Sequence, residues 1–217
     1  MLAVRTWLRY AVPLTLLAAI ALAPIAWLAL RVPAPADVNA ARAQVRLAFV
    51  IASGAWMFQL WLVAAAAPCT RARLSQWRAL TAGVAGLARG FVPWLIAIAA
   101  IALGTLALVV PGLVLLVLLS LTGASELSAP PPAPLAESIA AARAQLATVA
   151  ALVAGMIALD LAIAFVAQAA LVPAVANKAK AVQLLPIRTF VRVVALALVV
   201  VSPLPACGLA AIRSRTS

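Results

Sequence analysis

Few side chains in this 217-residue chain could carry chemistry, and Asp160 is the one acid at the middle of a long apolar run. A carboxylate there costs about 2.5–3.5 kcal/mol on insertion scales, so it should face the bundle interior, pair or stay protonated. One interpretation is an ion or proton relay, with Gln168 on the same helical face eight residues later. The other, which we favour, is a single interhelical hydrogen bond from a neutral carboxyl in a dry site. Gln59 is likewise expected to bond a neighbouring helix.

The residues available for catalysis argue against an enzyme. There is no histidine, and the four acidic residues lie on separate elements. Acid–base catalysis needs a group tuned toward neutrality beside its partners, and no phosphate-binding loop or metal-ligand cluster is present in the sequence. Cys69 and Cys207 are 138 positions apart, fit no zinc or redox motif, and are predicted to be small buried hydrophobes rather than a disulfide. We therefore expect no catalytic residues, cofactor or metal.

The elements that position these side chains are predicted to be membrane-spanning helices. Hydrophobic residues make up 68% of the chain and charged residues 9%, with a mean hydropathy of +1.21. This apolar content exceeds that of soluble domains, and only a helix satisfies its own backbone hydrogen bonds in hydrocarbon. We predict one all-α integral membrane domain over residues 1–217. The net charge of +12 falls in short clusters between apolar runs, which indicates anionic lipid headgroups rather than nucleic acid as the partner.

The central apolar run, residues 92–122, contains no charge. As one straight helix it would reach about 46 Å, which exceeds a hydrocarbon core of about 30 Å but falls short of two spans. Pro111 removes a helix donor and clashes with the preceding turn, and Gly112 follows it directly. The sequence therefore predicts a helix broken at Pro111-Gly112, as either a kink or a reversal.

Four further apolar runs predict membrane spans. The total number of spans depends on whether the central run crosses the bilayer once or reverses. If the central run crosses once there are five spans, with 10 basic residues on the N-terminal side and 6 on the other. If it reverses there are six spans, and the division is 9 to 7. The positive-inside rule prefers the first by a small margin and places the N-terminus in the cytoplasm. The first run is too long for the apolar region of a secretory signal, so a retained span is preferred. The further spans are residues 10–30, 47–68, 146–173 and 190–212.

The loop from Arg71 to Phe91 has an amphipathic pattern. At 100° per residue its large apolar side chains, including Trp77, share an arc of about 80°, with the basic ones opposite. This pattern favours a short interfacial helix on an anionic leaflet, beginning after Arg73, and a connecting helix packed on the bundle fits it equally well. Gly86 and Gly90 give a weak helix-packing signal. The candidate membrane-surface residues are Arg71, Arg78, Arg89 and Trp77.

Two motifs carry a family resemblance. They are LGTLALVVPGLVLLVLLSL at residues 103–121 and PLAESIAAAR at residues 134–143, followed by a long apolar helix. Over roughly residues 87–172 the chain resembles a bacterial membrane domain that occurs alone and fused to glycerophosphodiester phosphodiesterases. The resemblance implies six helices, with the Pro-Gly element between the third and fourth, and an accessory role in phospholipid metabolism. The catalytic domain has no counterpart here, so its activity is not implied.

These features predict a multi-pass protein of the bacterial inner membrane. The excess of arginine over lysine and the abundant alanine are typical of GC-rich bacterial sequences. We expect a non-enzymatic structural, assembly or lipid-associated subunit, whose partners are the anionic bilayer and other membrane proteins. The alternative is a small transporter or channel component using Asp160 and the broken central helix, since broken helices often line binding cavities. The oligomeric state stays open.

Overall fold

The computed structural model describes residues 2–122, 134–171 and 185–216, and these ranges contain helices and no strand. The predicted all-α fold is therefore confirmed. In chain order the helices are α1 (Leu2–Arg9), α2 (Ala11–Ala21), α3 (Ala23–Arg31), α4 (Val38–Arg71), α5 (Gln76–Ala107), α6 (Val109–Leu119), α7 (Pro134–Ala144), α8 (Leu146–Leu171), α9 (Leu185–Val201) and α10 (Pro203–Thr216).

Four of the described segments are long and apolar enough to cross a membrane. They are α4, α5, residues Leu146–Ala169 of α8, and Thr189–Ile212 across α9 and α10. The pair α2 and α3 supplies a fifth crossing if counted as one span, although the two helices are bent by 66°. These lengths and compositions show a multi-pass helical membrane protein.

Contacts within the chain divide it into two compact units. Unit 1 comprises Met1–Ala21, Met57–Gly155 and Ser202–Ser217. Unit 2 comprises Leu22–Trp56 and Met156–Val201. Unit 1 thus holds the two termini and the whole of α5, α6 and α7, whereas unit 2 holds α3, α9 and the segment of α8 that carries Asp160.

The central run is split into α5 and α6 by one extended residue, Leu108, with φ −161° and ψ 143°. The break therefore lies three residues before the predicted Pro111-Gly112. Pro111 instead occupies the third position of α6, where a missing N–H removes no intrahelical bond. The chain reverses at the break, because a Cβ on Gly112 would lie only 2.7 Å from the Cα of Thr105. In a continuous helix those two residues would be about 10 Å apart.

The predicted amphipathic segment forms the first half of α5 and not a separate helix. Its start after Arg73 is set by Ser75, whose Oγ accepts a hydrogen bond from the Arg78 backbone N–H at 3.4 Å. From Gln76 the helix then continues unbroken to Ala107. Small residues and one leucine face the protein, whereas Trp77 is 77% exposed. The buried positions in this half are Ala79, Gly83, Gly86, Leu87 and Gly90.

Helix α4 begins directly after Asp37, whose side chain caps its first turn. The Asp37 Oδ1 accepts a hydrogen bond from the Ala40 backbone N–H at 2.7 Å, which satisfies one of the unpaired donors of the first turn. The segment that carries Arg42 and Arg46 runs without a break into the predicted span at residues 47–68, and α4 continues past Pro68 to Arg71.

Candidate functional site

Asp160 lies on the buried stripe of α8. Its side chain is 1% exposed, while Gln168 two turns later is half-buried. Buried positions recur every three or four residues along this helix, which is the spacing of one helical face. Among the described residues no group of three or more histidine, cysteine or acidic side chains is placed to hold a metal. The stripe consists of Val149, Val153, Met156, Asp160, Ala164 and Ala167.

A groove of about 540 Å³ runs between α8 and α9 in unit 2. We call it the α8/α9 groove. Every side chain that lines it is a hydrocarbon, and Val166 in its wall is 66% exposed, so the groove lies at the protein surface. Asp160 is next to Leu159 in sequence but is not part of the lining. The lining residues are Leu159, Ala162, Ile163, Val166, Ala167, Val193 and Ala197.

One end of unit 2 carries arginine and tryptophan side chains. The Nη2 of Arg192 donates a hydrogen bond to the carbonyl oxygen of Leu30 at 3.3 Å, in the last turn of α3. A cation at this position interacts favourably with the negative end of the helix dipole. The Arg192 Nε is buried and has no hydrogen-bond partner among the described residues. The Arg31 guanidinium lies 4.9 Å from the ring centroid of Trp27, as is common where helices meet the membrane–water boundary.

Gln59 bridges two helical segments of unit 1. Its Nε2 donates to the Oγ of Ser202 at 3.0 Å, and both side chains are buried. Ser202 lies between the end of α9 and the start of α10, so the bond connects α4 to that junction. The sequence predicts an interhelical hydrogen bond for Gln59 but does not identify Ser202 as its partner. Ser202 is distinguished in the sequence only by a hydroxyl group and a following proline within an apolar run.

Aromatic side chains pack between α4 and α5. Their ring centroids lie 5.2–6.0 Å apart, within the range of favourable aromatic pairs. Both indole N–H groups donate hydrogen bonds across the interface. The Trp61 Nε1 donates to the Leu87 carbonyl at 2.8 Å, and the Trp94 Nε1 donates to the Met57 carbonyl at 2.6 Å. This cluster fixes the register of the two helices. Its members are Phe58, Trp61, Phe91 and Trp94.

The weak Gly86 and Gly90 signal corresponds to a close helix contact in the structure. A Cβ added to Gly86 would collide with the carbonyl oxygen of Ala64 and lie 3.0 Å from its carbonyl carbon. A Cβ on Gly90 would lie 2.7 Å from the Ala64 Cβ. Only glycine therefore lets α5 approach α4 this closely, as small residues do at membrane helix interfaces.

The four candidate surface residues lie at different depths along the helix pair. Arg71, Trp77 and Arg78 are exposed at or near the turn between α4 and α5. Arg89 is also exposed, but its neighbour Gly90 packs on Ala64, about 10 Å along α4 from Arg71. The Arg89 Nε donates to the carbonyl of Ala85 at 3.1 Å, so its side chain points back toward the start of α5.

The described features are thus an apolar groove between α8 and α9 and, also within unit 2, basic side chains near the end of α3. No family model matches this chain, and no curated protein or solved structure matches it. The fold and the composition place it among the multi-pass α-helical membrane proteins.

Proposed function

We propose that the protein is a non-enzymatic, lipid-associated subunit of the bacterial inner membrane, and that the α8/α9 groove receives a lipid acyl chain. The observation that carries this proposal is the lining: seven hydrocarbon side chains around about 540 Å³, on two helices that qualify as spans. The volume lies within the range of ligand pockets, about 300–1,000 Å³. Inside a bilayer, van der Waals packing rather than water exclusion favours an acyl chain in such a groove.

The chemistry next to Asp160 supports lipid association over transport. A path for ions or protons needs polar groups or water along its wall, as in known channels. The wall nearest to Asp160 in sequence is built from Leu159, Ala162 and Ile163, none of which can replace a hydration shell. A buried carboxyl on the packed stripe of α8 accords with a structural role.

A transporter or channel component is the alternative function. It is supported by the buried mid-helix carboxyl of Asp160 and by the helix broken at Leu108, since both features occur in transport sites. An accessory role in phospholipid metabolism, implied by the family resemblance, is one specific form of the lipid-associated function.

The proposal is tested by counting phospholipids that remain bound after purification from native membranes in a mild detergent. Native mass spectrometry of the wild-type protein should show retained phospholipid, and Ala162→Trp should lower the amount by more than half because the indole fills the groove. Ala154→Trp is the matched control, since Ala154 is also an exposed alanine of α8 but does not line the groove. Equal lipid retention in the wild type and Ala162→Trp overturns the proposal.

A further inference from the structure

We propose that the α8/α9 groove is selective for an anionic phospholipid, whose phosphate is held by Arg192. This inference rests on the proposed function, because it assigns the headgroup of the lipid whose chain occupies the groove. It is carried by separate observations, namely the position, bonding and surroundings of Arg192.

Arg192 lies directly before Val193, which is part of the α9 wall of the groove. Val193 and Ala197 are the two α9 residues that line the groove, so Arg192 is at the end of the wall nearer the start of α9. Arg192 is not itself part of the lining, and its guanidinium bonds Leu30 of α3. The headgroup of an acyl chain whose end lies beside Val193 would therefore be next to the turn of α9 that carries Arg192.

The Arg192 guanidinium has donors left to use. Its Nη2 bonds the Leu30 carbonyl at 3.3 Å, a long contact, and its buried Nε has no hydrogen-bond partner in the described part of the chain. A buried donor without an acceptor is unfavourable, and more so when it belongs to a charged group. A phosphate satisfies such a group well, because the planar fork of arginine donates two parallel hydrogen bonds to it.

The same end of unit 2 is at headgroup level. Leu30 lies in the last turn of α3, and the following residues 32–37 contain Pro33, Pro35 and Asp37 before α4 begins. Such a sequence ends a span rather than continuing it. The exposed Arg31 and Trp27 pair marks the interface. Arg192 is therefore placed where a lipid phosphate is found.

The charge of this region favours an anion over a zwitterion. Described unit 2 residues include two acids, of which Asp160 is buried and Asp37 is engaged at the start of α4. Basic side chains outnumber them, and an anionic headgroup gains from this excess while a zwitterionic one gains little. The basic residues of unit 2 within the described ranges are Arg31, Arg42, Arg46, Arg188 and Arg192.

In the test, the protein is reconstituted in nanodiscs that contain equal amounts of phosphatidylglycerol and phosphatidylcholine. It is then released with detergent, and the lipid that stays bound is identified by native mass spectrometry. The wild-type protein should retain phosphatidylglycerol over phosphatidylcholine by about fivefold, the factor expected for one arginine near an anionic headgroup. Arg192→Gln should bring the ratio close to one while the total bound lipid stays the same. Arg31→Gln, at the same end of unit 2 but outside the groove wall, should keep most of the preference.

Two results overturn the headgroup assignment: no phosphatidylglycerol preference in the wild type, or an unchanged preference in Arg192→Gln. If Arg192→Gln does not fold, Arg192→Met replaces it, and an undiminished preference in this uncharged variant likewise overturns the assignment. Failure of the proposed function is distinguishable, because it appears as unchanged total lipid in Ala162→Trp whatever the lipid ratio.

Discussion

Arg192 and Leu30 are joined by a hydrogen bond of 3.3 Å although they are 162 positions apart, and this contact ties the first half of α9 to the last turn of α3. The end of α3 and the start of α9 therefore belong on one side of the bilayer. In unit 1 the Tyr10 hydroxyl accepts from the Leu74 N–H at 2.8 Å, so the start of α2 and the α4–α5 turn share a side as well.

The reversal at Leu108 has a consequence for the segment from α5 to α7, which lies within unit 1. Gly112 of α6 packs back against Thr105 of α5, and the Ser138 Oγ of α7 donates a hydrogen bond to the Leu118 carbonyl of α6 at 2.8 Å. We therefore expect α5, α6 and α7 to enter and leave the bilayer on one side. This arrangement corresponds to the 9 to 7 charge division, against the positive-inside preference.

Labelling of single cysteines with an impermeant maleimide checks this topology in intact cells, after Cys69 and Cys207 are replaced by alanine. Ser75→Cys at the α4–α5 turn and Ala136→Cys in α7 should react from the same side, and Ala36→Cys from the opposite side. All three residues are exposed in the structure. Opposite accessibility of positions 75 and 136 would show that the central run crosses once.

Gly86→Ala should destabilise the protein, because the added Cβ collides with the carbonyl oxygen of Ala64 and forces α4 and α5 apart. Overpacking of this kind lowers the free energy of unfolding by about 1–3 kcal/mol. Unfolding by sodium dodecyl sulfate in mixed micelles measures the change. Gly54→Ala is the control, since a Cβ there meets nothing within 4 Å and alanine favours the helix. Equal stability of the two variants is incompatible with the close contact.

The hydrogen bond between Gln59 and Ser202 should appear as a coupling energy in a double-mutant cycle. Gln59→Leu, Ser202→Ala and the double variant remove the donor, the acceptor or both. Interhelical hydrogen bonds in membranes contribute about 0.6 kcal/mol on average and up to about 1.7 kcal/mol. The same mixed-micelle unfolding gives the four free energies. Strictly additive effects would mean that the contact does not stabilise the fold.

Asp160→Asn should leave membrane insertion, fold and proton flux unchanged if the buried carboxyl only supports helix packing. The amide retains the size and the hydrogen-bonding capacity of a protonated carboxyl. Proteoliposomes with an internal pH-sensitive dye report the flux for the wild type and the variant. A wild-type flux that disappears in Asp160→Asn would support the transport alternative.

The sequence predicts the features that depend on local composition. Run lengths and apolarity locate the spans, and Asp37 marks the start of α4 because its cap acts within one turn. The helix break is different: Leu108 has no distinctive local signal, and its position is associated with Gly112 packing against Thr105. Pro111, the local breaker, is accommodated in the first turn of α6.

The candidate site was harder to predict, because it depends on contacts between distant parts of the chain. Nothing in the sequence near Arg192 indicates Leu30 as its partner, and the groove exists only where α8 and α9 come together. Likewise, the apolar arc of residues 71–91 does not show which side of α5 packs on α4, because that contact depends on how closely the glycines let the two helices approach.

The central claim is that the long apolar helices of this protein cross a lipid bilayer. Extraction of native membranes with alkaline sodium carbonate, followed by centrifugation and immunoblotting, tests it most directly. The protein should remain entirely in the membrane pellet, together with a known integral protein. Release into the supernatant with peripheral proteins, or a stable and monodisperse protein in detergent-free buffer, would contradict the claim.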